Sequence, residues 1–192
     1  MLKKLIATSA AAAVVASQIA TGLVYGAPVV TDPEMIDAIS WGYDAGLTKY
    51  SGVDTFMPYA NLTREQFAKF ASEFGNSVLG LDEVAGNCSF TDIGTADSTL
   101  ADSIVAACEL GLMMGHDSKF MPKQEVTRGQ VATVVSRMPS SACTKKTEQA
   151  HFELLNSKGI MKYAMLNQSI LRGDMMLMLY RLAINNNGQI GR

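Results

Sequence analysis

Two dipeptides carry the most suggestive chemistry in the chain. Thr63-Arg64 and Thr127-Arg128 each open a stretch with apolar residues at helical spacing, and Leu171-Arg172 opens a third. Threonine followed three residues later by Gln66 or Gln130 is a capping box, in which the hydroxyl and the amide satisfy N–H groups at a helix start. The arginine then falls on the first helical turn, beside the positive end of the helix dipole, where it does nothing for helix stability. A cation next to unsatisfied N–H groups suits a carboxylate, which a guanidinium can hold through two parallel hydrogen bonds. Arg64, Arg128 and Arg172 are therefore candidate contacts for an acidic ligand. On that reading Arg128→Ala weakens ligand binding and leaves thermal stability nearly unchanged. The competing role is an arginine that packs its stem on a neighbouring segment.

Other candidates accompany the arginines. Trp41, the single tryptophan, suits either a sugar-stacking platform or packing between helices. Asp54 and Asp117, with Lys119, precede Phe56 and Phe120; they offer hydrogen bonds to sugar hydroxyls, or simply make a turn. No catalytic constellation emerges. His116 and His151 lack a motif-spaced nucleophile and acid, and GxSxG, HExxH and P-loop strings are absent. Asp92, Asp97 and Asp102 recur every five residues without the Gly and terminal Glu of a calcium loop. Neither catalysis, nor a metal, nor a cofactor is expected.

The elements that must position these residues repeat along the chain. Ala38–Leu47 and Ser103–Leu112 are short apolar helical patterns, each stopped by a glycine and followed by leucine. After each comes a polar loop with Phe56-Met57-Pro58 or Phe120-Met121-Pro122, and then the Thr-Arg pair. A degenerate copy runs from Ala150 through Gly159-Ile160 to Leu171-Arg172-Gly173-Asp174, with a shorter loop that lacks Phe-x-Pro. Gly46, Gly111 and Gly159 fall at the position where a left-handed residue ends a helix. Behind the arginines, Phe67, Ala71 and Phe74 match Val131, Val135 and Met138, and then Met175, Leu179 and Leu182, one apolar stripe per helix. One such unit cannot bury its stripe alone, whereas three can. The expectation is an all-α domain over residues 27–184, with repeats at about 31–75, 90–138 and 147–184, linkers at 75–86 and 139–146, and a tail from 185 to 192.

Composition bounds the rest. Of 192 residues, 48% are apolar and 18% charged, with a net charge of −2, which argues against disorder and against a nucleic-acid-binding domain. Lys3 and Lys4 followed by an Ala/Val-rich run read as a signal peptide over residues 1–26; an uncleaved anchor is the competing reading. No other stretch approaches membrane-spanning length, so the mature chain is expected to lack a transmembrane helix. Three cysteines in an exported chain allow one disulfide. Cys108 lies on a helix stripe and Cys88 just before Phe90, which favours Cys88–Cys108; Cys108–Cys143 is the rival pairing. Residues 27–110 hold 13 acidic and 3 basic side chains, and residues 111–192 hold 5 acidic and 11 basic. A polyanion would prefer the second half, and the same asymmetry could drive head-to-tail association of copies, unless the charges meet inside one domain.

The sequence Ala38-Ile39-Ser40-Trp41, the glycine-stopped helix, Phe-x-Pro and Thr-Arg, with Phe90-Thr91-Asp92-Ile93 opening the second copy, resembles the S-layer homology domain. That resemblance implies a pseudo-three-fold spindle of three repeats around a helical bundle. It further implies a secreted protein held at the cell envelope by non-covalent binding of cell-wall polysaccharide, often one carrying acidic pyruvyl ketals. The family's Thr-Arg-Ala-Glu motif stands here as Thr63-Arg64-Glu65-Gln66, Thr127-Arg128-Gly129-Gln130 and Leu171-Arg172-Gly173-Asp174. A structural surface-layer subunit that assembles through its repeats is the alternative.

Overall fold

The computed structural model describes residues 32–84, 86–138 and 147–186. The expected signal peptide, Cys143, the linker 139–146 and residues 187–192 of the expected tail lie outside the described residues. Helix α1 (Pro33–Asp44) starts with proline in its first turn, and the Asp32 side chain accepts the Glu34 N–H at 3.0 Å. A single turn, α2 (Val53–Phe56), sits in the following loop. Then come α3 (Arg64–Glu73), α4 (Ala101–Glu109), α5 (Arg128–Arg137), α6 (Glu148–Ser157) and α7 (Arg172–Asn186). The described residues contain no strand, only isolated bridges. The fold is all-α.

Local chemistry sets the ends of these helices. Both capping boxes are formed, at Thr63/Gln66 and Thr127/Gln130. Gly46, Gly111 and Gly159 follow α1, α4 and α6 with φ of 75°, 68° and 70°, values at which a β-carbon would be strained. Two boundaries differ from the sequence expectation. Helix α7 runs through Asn186, past the residue where a tail was expected to begin. The stretch read as a linker from Gly75 starts with a π-helical turn, Phe74–Leu79, that prolongs α3. Burial explains the second difference: the Gly75 backbone lies so close to the Leu110 and Leu112 side chains that the chain must stay packed there before it can leave.

All nine stripe residues behind the arginines are at most 1% exposed, and they form the centre of one continuous core. Helix pairing is shifted along the chain: α3 packs on α4, α5 on α6, and α7 returns to α1. Each arginine-led helix therefore rests on the leading helix of the next unit, and the last closes on the first. A cycle of backbone hydrogen bonds accompanies this closure. Leu62 N–H donates to Ile170 C=O (3.1 Å), Ile170 N–H to Val126 C=O (3.0 Å), and Val126 N–H to Leu62 C=O (3.0 Å). All three side chains are fully buried.

The closure is also ionic. Arg181 of α7, 8% exposed, donates from Nε and Nη2 to the two carboxylate oxygens of Glu34 on α1, each at 2.5 Å, and Lys162 lies 3.4 Å away. The Arg181 hydrogen bonds and both positive charges outweigh burial and hold the Glu34 carboxyl at about 2, against an ordinary 4.5. A depressed carboxyl stabilises the fold fully above its ordinary value, and that stability is lost as pH falls through the folded-state value. Thermal melts between about pH 6 and pH 2 should show the parent losing stability steadily below about pH 5. The Glu34→Gln variant should start lower and vary less with pH. Parallel pH profiles for the two proteins would refute the assignment.

Opposite charges thus meet inside the chain. Glu34–Arg181, Glu34–Lys162 and Glu65–Lys123 each join an acid of the first half to a base of the second. No helix among the described residues is long and apolar enough to cross a membrane.

Candidate functional site

The cyclic packing changes the setting of the three arginines. Their own N–H groups, and those of the next residue, are occupied by loop carbonyls from the adjacent unit. Arg64 and Glu65 donate to Gln124 and Pro122, Arg128 and Gly129 to Gln168 and Leu166, and Arg172 and Gly173 to Ala60 and Pro58, all at 2.8–3.0 Å. The expectation of free helix-terminal amides waiting for a carboxylate is corrected by these bonds. What remains for a ligand is the guanidinium groups.

The three guanidinium groups differ in how far the protein itself engages them. Arg64 donates through Nε to Phe120 C=O (2.8 Å) and through Nη2 to Met114 C=O (3.2 Å), lying 4.8 Å from the Phe120 ring centroid. Arg128, 6% exposed, donates to Ala164 C=O (3.3 Å), to Tyr163 C=O (2.9 Å) and to the Asp174 carboxylate. Arg172 has a single acceptor among the described residues, Phe56 C=O at 2.8 Å, and stands over the Phe56 ring. Burial pushes the Arg64 and Arg172 groups below the ordinary guanidinium value, although both stay protonated. With three internal acceptors, Arg128 also holds the fold, contrary to the expectation that its loss would spare stability.

Each arginine lines a separate surface cleft. The Arg172 cleft, about 390 Å³, is bordered by Lys49, Tyr50, Gln66, Lys69, Asp97 and Thr99. The Arg128 cleft, about 250 Å³, contains Tyr59, Lys162, Tyr163, Asp174 and Arg181. The Arg64 cleft, about 220 Å³, is edged by Met113, Met114, Arg137 and Glu148. Lys49-Tyr50 and Lys162-Tyr163 occupy the same place, three and four residues past Gly46 and Gly159. The second unit has Met114-Gly115 there. Comparison of the segments behind the stop glycines would have revealed this lysine–tyrosine pair; attention to helix starts alone missed it.

The remaining candidates are placed apart from these clefts. Trp41 is partly buried, its ring 6.2 Å from Phe74 and 5.7 Å from Tyr180, which is packing of α1 against α7 and the π-helical turn that prolongs α3. Asp54 is exposed in α2. Asp117 and Lys119 lie in an exposed tight hairpin whose Asp117 and Ser118 have positive φ. None of these four lines a cleft described above. Asp92 has a positioning role instead: its two oxygens accept the Phe120 and Met121 N–H groups at 2.8 Å and so fix the loop beneath Arg64. Cys88 and Cys108 form a disulfide that ties this segment to α4. His151 is buried between α5 and α6 with Nδ1 2.7 Å from Ser136 Oγ. Among the described residues no group of three or more His, Cys, Asp or Glu is arranged to hold a metal.

Part of the second unit is similar to a known family. Residues 89–132, which span Asp92, the disulfide's Cys108, α4, the Phe-Met-Pro loop and the start of α5, match the S-layer homology domain. A stretch of 104 residues, 52% of this chain, is 33% identical to a protein named endoglucanase from Bacillus sp. (strain KSM-635). The match covers 11% of that relative's length.

Proposed function

We propose that the chain is an exported, non-catalytic envelope protein. In this reading three S-layer homology repeats stand about a pseudo-three-fold axis and bind an acidic cell-wall polysaccharide, such as one bearing pyruvyl ketals, which anchors the protein at the surface. The observation that carries this reading is the placement of an arginine from every unit in its own inter-unit cleft, two of them beside an exposed lysine–tyrosine pair. Tyrosine offers a flat apolar face to a sugar ring and the cations grip its acidic substituent. The cycle of hydrogen bonds through Leu62, Val126 and Ile170 supports the three-repeat arrangement. Assembly of copies through opposite charge is the weaker role, because several of those charges are paired within the chain.

Co-sedimentation with purified cell walls, before and after chemical removal of the acidic groups, tests the proposal. Binding should fall sharply after removal. Equal binding to both preparations would overturn the acidic-ligand reading.

A further inference from the structure

We propose that the chain has one acid-recognising site, the Arg172 cleft, and that its own Asp174 keeps the Arg128 cleft from accepting a second acidic group. The inference rests on the polysaccharide-binding reading above and assigns it to particular residues. It also reverses the order suggested by the motifs, since Leu171-Arg172-Gly173-Asp174 departs furthest from the Thr-Arg pattern.

The contrast lies in which cations the protein has already neutralised. In the Arg128 cleft, Arg128 is bonded to Asp174, while Arg181 and Lys162 both face Glu34. A ligand carboxylate entering there must displace a carboxylate already in place and gains little. In the Arg64 cleft, Arg64 is held by two carbonyls, Arg137 shares the rim with the Glu148 carboxylate, and Met114 and Gly115 stand where the other units offer lysine and tyrosine. The Arg172 cleft is different. Arg172 has one backbone acceptor and no carboxylate partner among the described residues, leaving an edge of the guanidinium for a bidentate contact. Lys49 is exposed and makes no ion pair among the described residues; its ammonium lies 5.4 Å from the Tyr50 ring centroid. Lys69 touches Glu73 only at 3.8 Å on the surface. The single lining carboxylate among the described residues, Asp97, accepts both the N–H and the hydroxyl of Thr99. Three cations against one engaged carboxylate, around the largest of the three clefts, make a site for one anionic sugar.

Calorimetric titration of the whole exported chain tests this with a methyl glycoside bearing a pyruvyl ketal and with the same glycoside lacking it. The expected result is one equivalent of the ketal bound, with the ketal-free glycoside binding much more weakly. Lys49→Gln, a change at an exposed side chain that should not disturb folding, and Arg172→Gln should each weaken binding about tenfold or more. Asp174→Asn should raise the stoichiometry from one to two by freeing Arg128. Two or more equivalents bound by the parent, or full affinity in Lys49→Gln and Arg172→Gln, would overturn the assignment and leave the broader reading intact. Equal uptake of the two glycosides by the parent would instead overturn acid recognition itself.

Discussion

A Cys88→Ser variant is expected to unfold about 3 kcal/mol more easily than the oxidised parent, the chain-entropy value for a bridge that closes a loop of this size. Cys88 and Cys108 are 20 residues apart, and the loop they close contains Asp92, whose carboxylate positions Phe120 and Met121. Besides the bridge, the segment before it is tied to α4 through the Val84 N–H to Glu109 C=O bond at 2.8 Å. One backbone bond at the surface holds far less firmly than a covalent link. Cys88 is the better probe because Cys108 is 2% exposed, and serine there would add a buried hydroxyl to the effect being measured. Urea unfolding with and without reductant, in a Cys143→Ala background to prevent exchange, gives the number. Reduction should bring the parent down to the variant. An unchanged midpoint in the reduced parent would show that the bridge contributes nothing to stability. Weakening should also reach the Arg64 cleft, since that arginine lies over the Phe120 ring that Asp92 helps to position.

The features legible in the sequence are those decided within one turn of the chain. A threonine three residues before a glutamine, a glycine after an apolar helical run, and a 4-3 spacing of apolar side chains depend on local backbone geometry alone. Thr63, Thr127, the three stop glycines and all nine stripe residues are found in the corresponding structural positions. What sequence spacing does not convey is which unit touches which. The acceptors for Arg64 are 50 and 56 residues away, and Arg181 reaches Glu34 across 147 residues. From the Thr-Arg pair alone, the first helical amides look free for an anion; the loop of the next unit covers them only once the helices are paired cyclically. Trp41 illustrates the same limit, because nothing near it in sequence announces Phe74 or Tyr180 as its neighbours.

Arg128 is where that difference matters most, and Arg128→Ala is expected to lower stability by about 3 kcal/mol, near the bottom of the range for breaking a buried ion pair. Its side chain is 8% exposed, but the Asp174 side chain is 37% exposed, so water can partly solvate the carboxylate left behind. The Ala164 and Tyr163 carbonyls lose their donors as well. Lysine is a poor substitute, because one ammonium cannot reproduce the planar set of donors that serves all three acceptors. Denaturant unfolding of Arg128→Ala, Asp174→Ala and the double variant separates the contributions. The double variant should lose less than the two single losses together, because removing Asp174 also removes the unpaired charge. Arg172→Ala provides the internal contrast, with one backbone acceptor among the described residues and an expected cost of about 1 kcal/mol. If Arg128→Ala unfolds at the same denaturant concentration as the parent, the guanidinium is not a structural tie, and the closure of its cleft by Asp174 loses its physical basis.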